Sequence, residues 1–172
     1  MKLLKRIGIL FAILLALLIG FLYWYNATFS MEYVEAYEIN APDLETKVLI
    51  ATQGSEFKDK VVKGITEKFP DVFFKVIDVS GLYQVKADDW YAVVILHTFE
   101  SWEAPVPVQE FVKKTNKRTD KIFYLTTSGS GEYTIQDVDA IAGESVIADV
   151  PLYVEKLTQK LDRLLKEQKE AN

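Results

Sequence analysis

The stretch KVLIATQGSE, from Lys47 to Glu56, decides the fold of this chain. It begins with an apolar run, ends in a turn that contains glycine, and leads directly into a segment whose apolar residues recur at helical spacing. A short apolar run of this kind is typical of a strand that is covered on both faces in a parallel sheet. The stretch therefore predicts a first strand, a loop at its carboxyl end and a first helix, for which Ser55 is the candidate N-cap.

Further segments continue the alternation of strands and helices. Apolar runs predict three more strands and a short fifth candidate, namely Val72 to Val79, Tyr91 to Leu96, Lys121 to Thr127 and Val138 to Ala142. Helical spacing predicts a first helix that ends by Pro70, only a short or irregular second helix within Ser80 to Trp90, and a third that begins near Pro107. A long C-terminal helix is opened by Asp149 and Pro151. Alternation of this kind implies an α/β domain with a parallel sheet and right-handed crossovers.

The composition limits the chain to one membrane segment and one domain. Its 172 residues are 49% hydrophobic and include no cysteine, which excludes disulfides and cysteine-based metal or redox sites. Three of the 20 basic residues precede the apolar N-terminal run, which leaves 17 basic against 25 acidic residues in the remainder. A domain with this excess of negative charge is expected to avoid nucleic acid and anionic lipid.

The N-terminal part of the chain predicts a membrane anchor. Residues 7–25 read IGILFAILLALLIGFLYWY without a charge. A helix of this length extends about 28 Å, close to the bilayer core of about 30 Å. The run ends in an aromatic cluster typical of the membrane interface. A cleaved signal peptide is the alternative, but its apolar region is normally about 7 to 15 residues long. We therefore expect an uncleaved, single-pass transmembrane helix.

The charges that flank the apolar run predict its orientation. Residues 1–6 contain three basic side chains, whereas acidic residues follow the run and the next basic residue is Lys47. The positive-inside rule places the N-terminus in the cytoplasm and the domain on the extracytoplasmic side of the membrane. Residues 26–46 are expected to form a stalk, of which part could lie on the domain as a short strand or helix. The domain itself is expected to comprise residues 47–172.

The order of the predicted elements and the sequences of three loops resemble the flavodoxin-like family. The resemblance extends from Lys47 to about Leu165. It implies an open parallel sheet in a three-layer sandwich, with three loops at the carboxyl ends of strands that carry flavin mononucleotide (FMN) in that family. Only ten residues, Ser128 to Asp137, separate the fourth and fifth predicted strands. The fourth helix of the family is therefore expected to be reduced or missing.

The first loop resembles the phosphate loop of the family in part. The segment ATQGSE lies where the family has Ser/Thr-x-Thr-Gly-x-Thr. Gly54 matches, whereas Ala51, Gln53 and Glu56 replace the three hydroxyl residues. Backbone N–H groups at the start of the helix could still hold a phosphate, but Glu56 would compete for the same positive end. The candidate cofactor-binding residues of this loop are Thr52, Gln53, Gly54 and Ser55.

The other two loops match the family better. The segment HTFESWEAPVP, from His97 to Pro107, lies where flavodoxins place an aromatic residue over one face of the flavin, which implies that role for Trp102. The segment TTSGSGEYT, from Thr126 to Thr134, resembles the glycine-rich loop of the family and implies that Tyr133 covers the other face. The candidate cofactor-binding residues of these two loops are His97, Thr98, Trp102, Ser128, Gly129, Gly131 and Tyr133.

Other motifs favour no specific chemistry. The segment DAIAGES, residues 139–145, faintly resembles the sequence to which exported flavoproteins attach FMN, but a strand end followed by a turn is the simpler interpretation. His97 and Glu100 could share a metal, yet two ligands are insufficient and the sequence singles out no third. The chain has no Gly-x-Ser-x-Gly elbow, which argues against an α/β-hydrolase. No catalytic or metal-binding residue is predicted.

Two functions of different classes stay open from the sequence. The first is FMN-linked electron transfer by a membrane-tethered domain, supported by the resemblance, by two of the three loops and by an acidic surface suited to basic partner proteins. The second is a cofactor-free flavodoxin-like domain that acts as a binding or scaffold module at the outer face of the membrane. The altered phosphate loop and the missing helix support it. The sequence identifies neither a partner nor a reaction.

Overall fold

A computed structural model describes residues 2–29, 31–100 and 102–171. The chain divides into two compact units, Met1–Met31 and Glu32–Asn172. The first unit contains helix α1 (Lys2–Phe29), which includes the whole predicted span of residues 7–25. Its segment Leu4–Trp24 has a mean hydropathy of 2.6 and is long and apolar enough to cross a membrane. A signal sequence can pass the same test of length and composition, so retention of this helix stays a prediction.

The second unit is built on a six-stranded sheet. Five of its strands are parallel, and the edge strand β1 runs antiparallel to β3. The order across the sheet is β1-β3-β2-β4-β5-β6, so the parallel strands follow the flavodoxin-like order 2-1-3-4-5. The strands are β1 (Tyr37–Ile39), β2 (Lys47–Thr52), β3 (Phe73–Asp78), β4 (Ala92–Thr98), β5 (Ile122–Thr127) and β6 (Ala140–Gly143).

Helices cover both faces of this sheet. On one face, α2 (Glu56–Thr66) and α4 (Val150–Ala171) pack over alternate residues of the strands. On the other face, α3 (Val106–Lys114) and the 3₁₀ segment Val79–Gln84 pack over the remaining residues. The predicted three-layer α/β sandwich is therefore confirmed. The uninterrupted apolar run of β2 follows from this arrangement, because five of its six residues are buried and side chains point to both covered faces.

The expected loss of the fourth helix is confirmed. Residues 128–139, all of which the structure describes, connect β5 to β6 without a helix. Ile135 and Val138 from this connection pack against the apolar cluster on the α3 face. The connection therefore covers part of the sheet that a helix covers in a complete sandwich, and it leaves the loop after β5 close to the sheet edge.

Part of the predicted stalk belongs to the sheet. Strand β1 lies within residues 26–46 and pairs with β3 in the register Tyr37 to Val76. Asn40 ends this strand with a φ of 67°, and its side-chain amide donates to the carbonyl of Val72 at 2.7 Å. Asparagine tolerates this left-handed backbone because its short polar side chain bonds locally. The segment that leads into β1 is thus held against the carboxyl end of the sheet.

Candidate functional site

The three predicted loops meet at the carboxyl edge of adjacent strands. Strand β4 lies between β2 and β5, so the loops that follow them are neighbours in space. In the sheet register, Thr98 of β4 pairs with Thr127 of β5. Thr52 of β2 pairs with Leu96, which precedes Thr98 by two residues on β4. This edge, at the point where the strand order reverses, is where open α/β sheets bind ligands.

The backbone of Gly54 is already engaged by another segment of the chain. The Gly54 amide donates to the carbonyl of Glu32 at 2.8 Å, and the Glu32 amide donates to the carbonyl of Gly54 at 3.3 Å. A Cβ atom at position 54 would lie 2.7 Å from the Glu32 carbonyl oxygen and 2.8 Å from the Glu32 Cβ. We call this pair of hydrogen bonds the Glu32–Gly54 bridge. It requires glycine at position 54, because the backbone of residue 32 fills the space beside it.

The other polar groups of the first loop also bond within the protein. The amide oxygen of Gln53 accepts from the Thr98 backbone N–H at 2.7 Å, and its amide nitrogen donates to Glu100 at 3.1 Å. Ser55 caps α2, as predicted, by accepting from the Lys58 backbone N–H at 3.3 Å. The buried Thr52 hydroxyl donates to the carbonyl of Gln53 at 3.1 Å. The loop is thus tied to the loop after β4 and to its own helix.

A buried lysine lies beneath the first two loops, and the sequence analysis did not single it out. The Lys58 side chain is fully buried, and its Nζ donates to the Thr98 hydroxyl at 2.7 Å. The Thr98 hydroxyl is in turn 2.8 Å from that of Thr127, which contacts the carbonyl of His97 at 3.4 Å. Burial lowers the pKa of the Lys58 ammonium to about 8, although the Glu100 carboxylate opposes this shift.

The position of Lys58 in the helical pattern of the sequence indicates that its side chain is buried. Lys58 precedes Val61, Val62 and Ile65 by three, four and seven residues, so it occupies the apolar stripe of α2. A cation at such a position faces the interior and needs a polar partner there. Reading the stripe without regard to charge would have placed Lys58 under the loops.

His97 is a buried residue of β4. Its Nε2 is 3.0 Å from the Thr126 hydroxyl, and its Nδ1 has no hydrogen-bond partner among the described residues. Burial lowers the pKa of the imidazole to about 3, and the nearby charge of Lys58 lowers it further. His97 is therefore neutral at neutral pH. Among the described residues no group of three or more potential ligands could hold a metal ion.

Three aromatic side chains gather between the second and third loops. The rings of Trp102 and Tyr133 meet edge to face, with centroids 5.2 Å apart, and Tyr133 stacks on Phe99 at 6.3 Å. A flavin between two aromatic rings requires about 7 Å between their planes, which is two contacts of about 3.5 Å. Trp102 and Tyr133 instead contact each other directly. Phe99 completes this group, and the sequence analysis had not named it.

A cavity of about 340 Å³ adjoins these rings. Ser128 contributes a buried hydroxyl that has no hydrogen-bond partner among the described residues. Its backbone N–H donates to the carbonyl of Gly143 at 3.0 Å, and its carbonyl accepts from Gly131, whose φ of 68° suits glycine. We call this cavity the ring pocket. It is lined by Phe99, Trp102, Ser128, Gly129, Ser130 and Tyr133.

The predicted site residues thus fall into two groups at one edge of the sheet. Those of the first loop, with His97 and Thr98, bond to one another or to nearby protein groups, and the Gly54 amide is used by Glu32. Those of the later loops surround the ring pocket, except Gly131, which shapes the turn beside it. The first group fits an FMN phosphate poorly, because the Gly54 N–H, the Thr52 hydroxyl and the Gln53 side-chain amide already donate to protein acceptors. The second group leaves space for a ring.

Comparisons with known proteins give no family for this chain. No family model and no curated protein matches the sequence. Similar solved structures include a flavodoxin from the domain Archaea, with 14% identity, a TM-score of 0.46, and coverage of 69% of this chain and 99% of that one. The flavodiiron core from Synechocystis has 12% identity and a TM-score of 0.46, over 73% of this chain and 37% of that one.

A third similar structure is general stress protein 14 from Treponema denticola in complex with FMN. It has 9% identity and a TM-score of 0.43, over 69% of this chain and 99% of that one. At these identities and TM-scores the likeness carries neither the fold nor the function of this chain. The assignment of a flavodoxin-like fold to this chain rests on its own strand order and on the helices that cover both faces of the sheet.

Burial of His97 predicts a loss of stability in mild acid. The unfolded chain takes up a proton at this imidazole as the pH falls through 6.5, whereas the folded protein does so only near pH 3. The free energy of unfolding should therefore fall between these values, by roughly 1 to 2 kcal/mol from pH 7 to pH 5. Denaturant unfolding of the full-length protein in detergent micelles at several pH values measures this loss.

The variant His97→Asn serves as the control, because asparagine can still bond to Thr126 but does not titrate. Its pH dependence should be flatter than that of the wild type by the same amount. Parallel curves for the two proteins would show that the imidazole is not held neutral by burial.

Proposed function

We propose that this chain is a membrane-held, flavodoxin-like binding module whose phosphate loop is closed by its own backbone, and that it does not act as an FMN electron carrier. The observation that supports this proposal is the Glu32–Gly54 bridge. The Gly54 amide, a donor that a phosphate at this loop would use, donates to Glu32, and residue 32 fills the space beside Gly54.

Opening the loop carries a free-energy cost. Two backbone hydrogen bonds of the bridge would have to break, at about 1 kcal/mol each. The segment behind the bridge is held by further contacts, since the Val34 amide donates to Asp78 at 3.2 Å and β1 pairs with β3. A ligand would recover this cost only through new bonds of its phosphate, and the hydroxyl residues that supply such bonds in flavodoxins are replaced here.

The electrostatics of the loop also oppose a phosphate. Glu56 and Asp59 lie in the first turn of α2, where they already complement the positive end of the helix. Burial raises the pKa of the Asp59 carboxyl, and the negative charge of Glu32 raises it further. A dianionic group would be added to a site where carboxylates already repel one another. The nearby cation Lys58 is buried, and its ammonium already donates to the Thr98 hydroxyl.

The membrane-length helix and the charges around it support a proposed place of action. Helix α1 precedes the domain, with basic residues before its apolar segment and acidic residues after it. The positive-inside rule favours a cytoplasmic N-terminus. The module is therefore proposed to work at the extracytoplasmic face of the membrane, tethered by α1, with a protein or small molecule as its ligand.

FMN-linked electron transfer is the second candidate function. The ring pocket favours it, because aromatic side chains and a glycine-containing loop lie where the resemblance places the flavin ring. In this alternative the phosphate would add little to the affinity, and the domain would depend on ring contacts alone to retain the cofactor. Saturable binding of FMN or riboflavin by the full-length protein would support this second function, whereas the ratio of their affinities reports only on the phosphate loop.

The orientation can be tested by protease treatment of spheroplasts that express the full-length protein with a C-terminal epitope tag. Protease added outside should remove the tagged domain, and mass spectrometry should find an N-terminus that includes α1. A tag that is digested only after the membrane is permeabilised would contradict the proposed orientation. A mature chain that begins after Tyr25 would contradict the tether.

The proposed closure of the phosphate loop predicts that FMN binds no better than riboflavin. The two ligands differ only in the phosphate, so their dissociation constants report its contribution. We expect a ratio within about threefold of unity, equivalent to less than about 0.7 kcal/mol. Flavin fluorescence titration of the full-length protein measures both constants. A preference for FMN of about a hundredfold or more, as two charge-assisted hydrogen bonds would give, would overturn the proposed function.

The variant Glu56→Gln is the matched control for this titration. Glu56 is exposed and forms an ion pair with Lys60, so its neutralisation changes the charge near the loop and leaves the bridge in place. If the bridge excludes the phosphate, the ratio should stay near unity in this variant. A strong preference for FMN after this single change would assign the exclusion to Glu56 and not to the bridge.

A further inference from the structure

The ring pocket is bounded by aromatic rings that meet at a right angle. The planes of Trp102 and Tyr133 lie at 82° to each other, with ring centroids 5.2 Å apart, and Phe99 stacks on Tyr133 at 6.3 Å. Two rings that touch at this angle form a corner and leave no parallel slot for a flat ring. Such a corner can contact a compact, rounded group on two sides.

Trp102 is held within a tight turn of the loop after β4. The backbones of Glu100 and Glu103, on either side of it, exchange hydrogen bonds of 3.0 and 3.1 Å. The φ of Trp102 is 72°, which is unusual for a large side chain, and the residue is 74% exposed. Backbone conformations of this kind cost free energy and cluster at sites that hold ligands. The turn thus presents the indole between two carboxylate residues.

The charges around the pocket favour a cation as its ligand. The two loops that form the pocket, residues 98–106 and 127–136, contain three exposed glutamates and no lysine or arginine. The cation that lies beneath the loops, Lys58, is buried. An anionic ligand would be repelled by the carboxylates, whereas a cation would be attracted. The three glutamates are Glu100, Glu103 and Glu132.

The lining of the pocket selects among cations. It contains three aromatic residues, two serines and a glycine, and no carboxylate. A primary ammonium has three donors to satisfy, and the lining has too few acceptors for them. Among the described residues no group of three or more potential ligands could hold a metal ion. A quaternary ammonium donates no hydrogen bond and is attracted to the faces of aromatic rings, above all to that of tryptophan.

A buried hydroxyl adds a polar requirement to the pocket. Ser128 is 8% exposed, it lines the cavity, and its Oγ has no hydrogen-bond partner among the described residues. The backbone N–H of Ser128 is fixed by its bond to the carbonyl of Gly143. A buried polar group without a partner is costly, so a ligand with an oxygen that bonds to this hydroxyl gains affinity.

From these features we infer that the ring pocket binds a small organic cation of the choline type. Its quaternary ammonium packs against Trp102 and Tyr133, and its oxygen bonds to Ser128. The cavity of about 340 Å³ lies at the lower end of the range of small-molecule sites, which suits a cation of this size. The inference rests on the proposed function and deepens it, because it gives the binding module a ligand class.

Isothermal titration calorimetry of the full-length protein in maltoside micelles measures the binding of choline. We expect saturable binding with a dissociation constant below about 1 mM. The matched probe is the uncharged isostere of choline, in which a carbon atom replaces the nitrogen. It fills the same space without the charge, so it should bind at least about fivefold more weakly.

Substitutions in the pocket assign the binding to its walls. Trp102→Leu keeps an apolar side chain but removes the aromatic face, and it should weaken choline binding at least about fivefold. The matched control is Tyr33→Leu, because Tyr33 is 73% exposed and lies outside the lining of the pocket. This control should leave the affinity unchanged within about twofold. Both variants replace exposed side chains, and thermal unfolding checks that they fold.

The role of Ser128 is tested with two cations. Ser128→Ala should weaken choline binding by roughly three- to tenfold, as loss of one neutral hydrogen bond predicts. The same variant should bind tetramethylammonium, which has no hydroxyl, as the wild type does. Equal losses for the two cations would show that the Ser128 hydroxyl does not bond to the ligand.

A free cation and a phospholipid headgroup share this ligand chemistry, and glycerophosphocholine distinguishes them. Its phosphate is a negative charge that the carboxylates of the loops would repel. Affinity equal to that of choline would identify a headgroup as the source of the ligand. Binding weaker than that of choline by about tenfold or more would identify a free cation. Either result is consistent with the inferred ligand class.

Two results would overturn this inference. One is the absence of saturable choline binding by the wild type up to about 10 mM, which is weaker than a specific site for this cation would give. The other is choline binding that is matched by the uncharged isostere or left unchanged by Trp102→Leu, which would place the ligand elsewhere. Neither result affects the proposed closure of the phosphate loop, because that proposal fails only when FMN is strongly preferred over riboflavin.

Discussion

The proposed closure of the phosphate loop depends on one contact, the pair of backbone hydrogen bonds between Glu32 and Gly54. Gly54 ends the turn after β2, at the point where open α/β sheets present backbone donors to anionic ligands. The chain satisfies this donor internally with a segment that enters the sheet as β1 a few residues later. The chain thus keeps a flavodoxin-like sheet. The Gly54 amide, which could donate to a phosphate, instead fixes the start of the domain.

Polar groups beneath the loops also bond to one another. Lys58 buries an ammonium under the first two loops, and hydrogen bonds connect it through Thr98 and Thr127 to the carbonyl of His97. Such a network costs desolvation and is stable only if its members are bonded. Gln53 links this network to Glu100. The three strand ends are therefore held together by the protein's own groups, which leaves the ring pocket as the open part of the edge.

The sequence predicted the layers of the domain but not the contact that closes its loop. The run from Val48 to Ala51 predicted a strand covered on both faces, because burial on two sides leaves no polar position. The connection after β5 predicted the missing helix because its ten residues are too few for a crossover that contains a helix. The bridge has no local signal, since Glu32 lies 22 residues before Gly54 in a segment of mixed character. Lys58 was not predicted to be buried because a charged residue is normally expected on the exposed face of a helix, although its spacing places it in the apolar stripe of α2.

Hydrogen exchange of the Gly54 amide measures directly whether the Glu32–Gly54 bridge closes the phosphate loop. In the full-length protein, NMR-detected exchange should be slow, like that of a strand amide, and should not change when FMN is added at about 1 mM, because the donor is held by the Glu32 carbonyl. Gly129, in the loop after β5, provides a loop glycine for comparison. Exchange of Gly54 at the rate of an unprotected amide, or a large shift of its resonance on addition of FMN but not of riboflavin, would contradict the account.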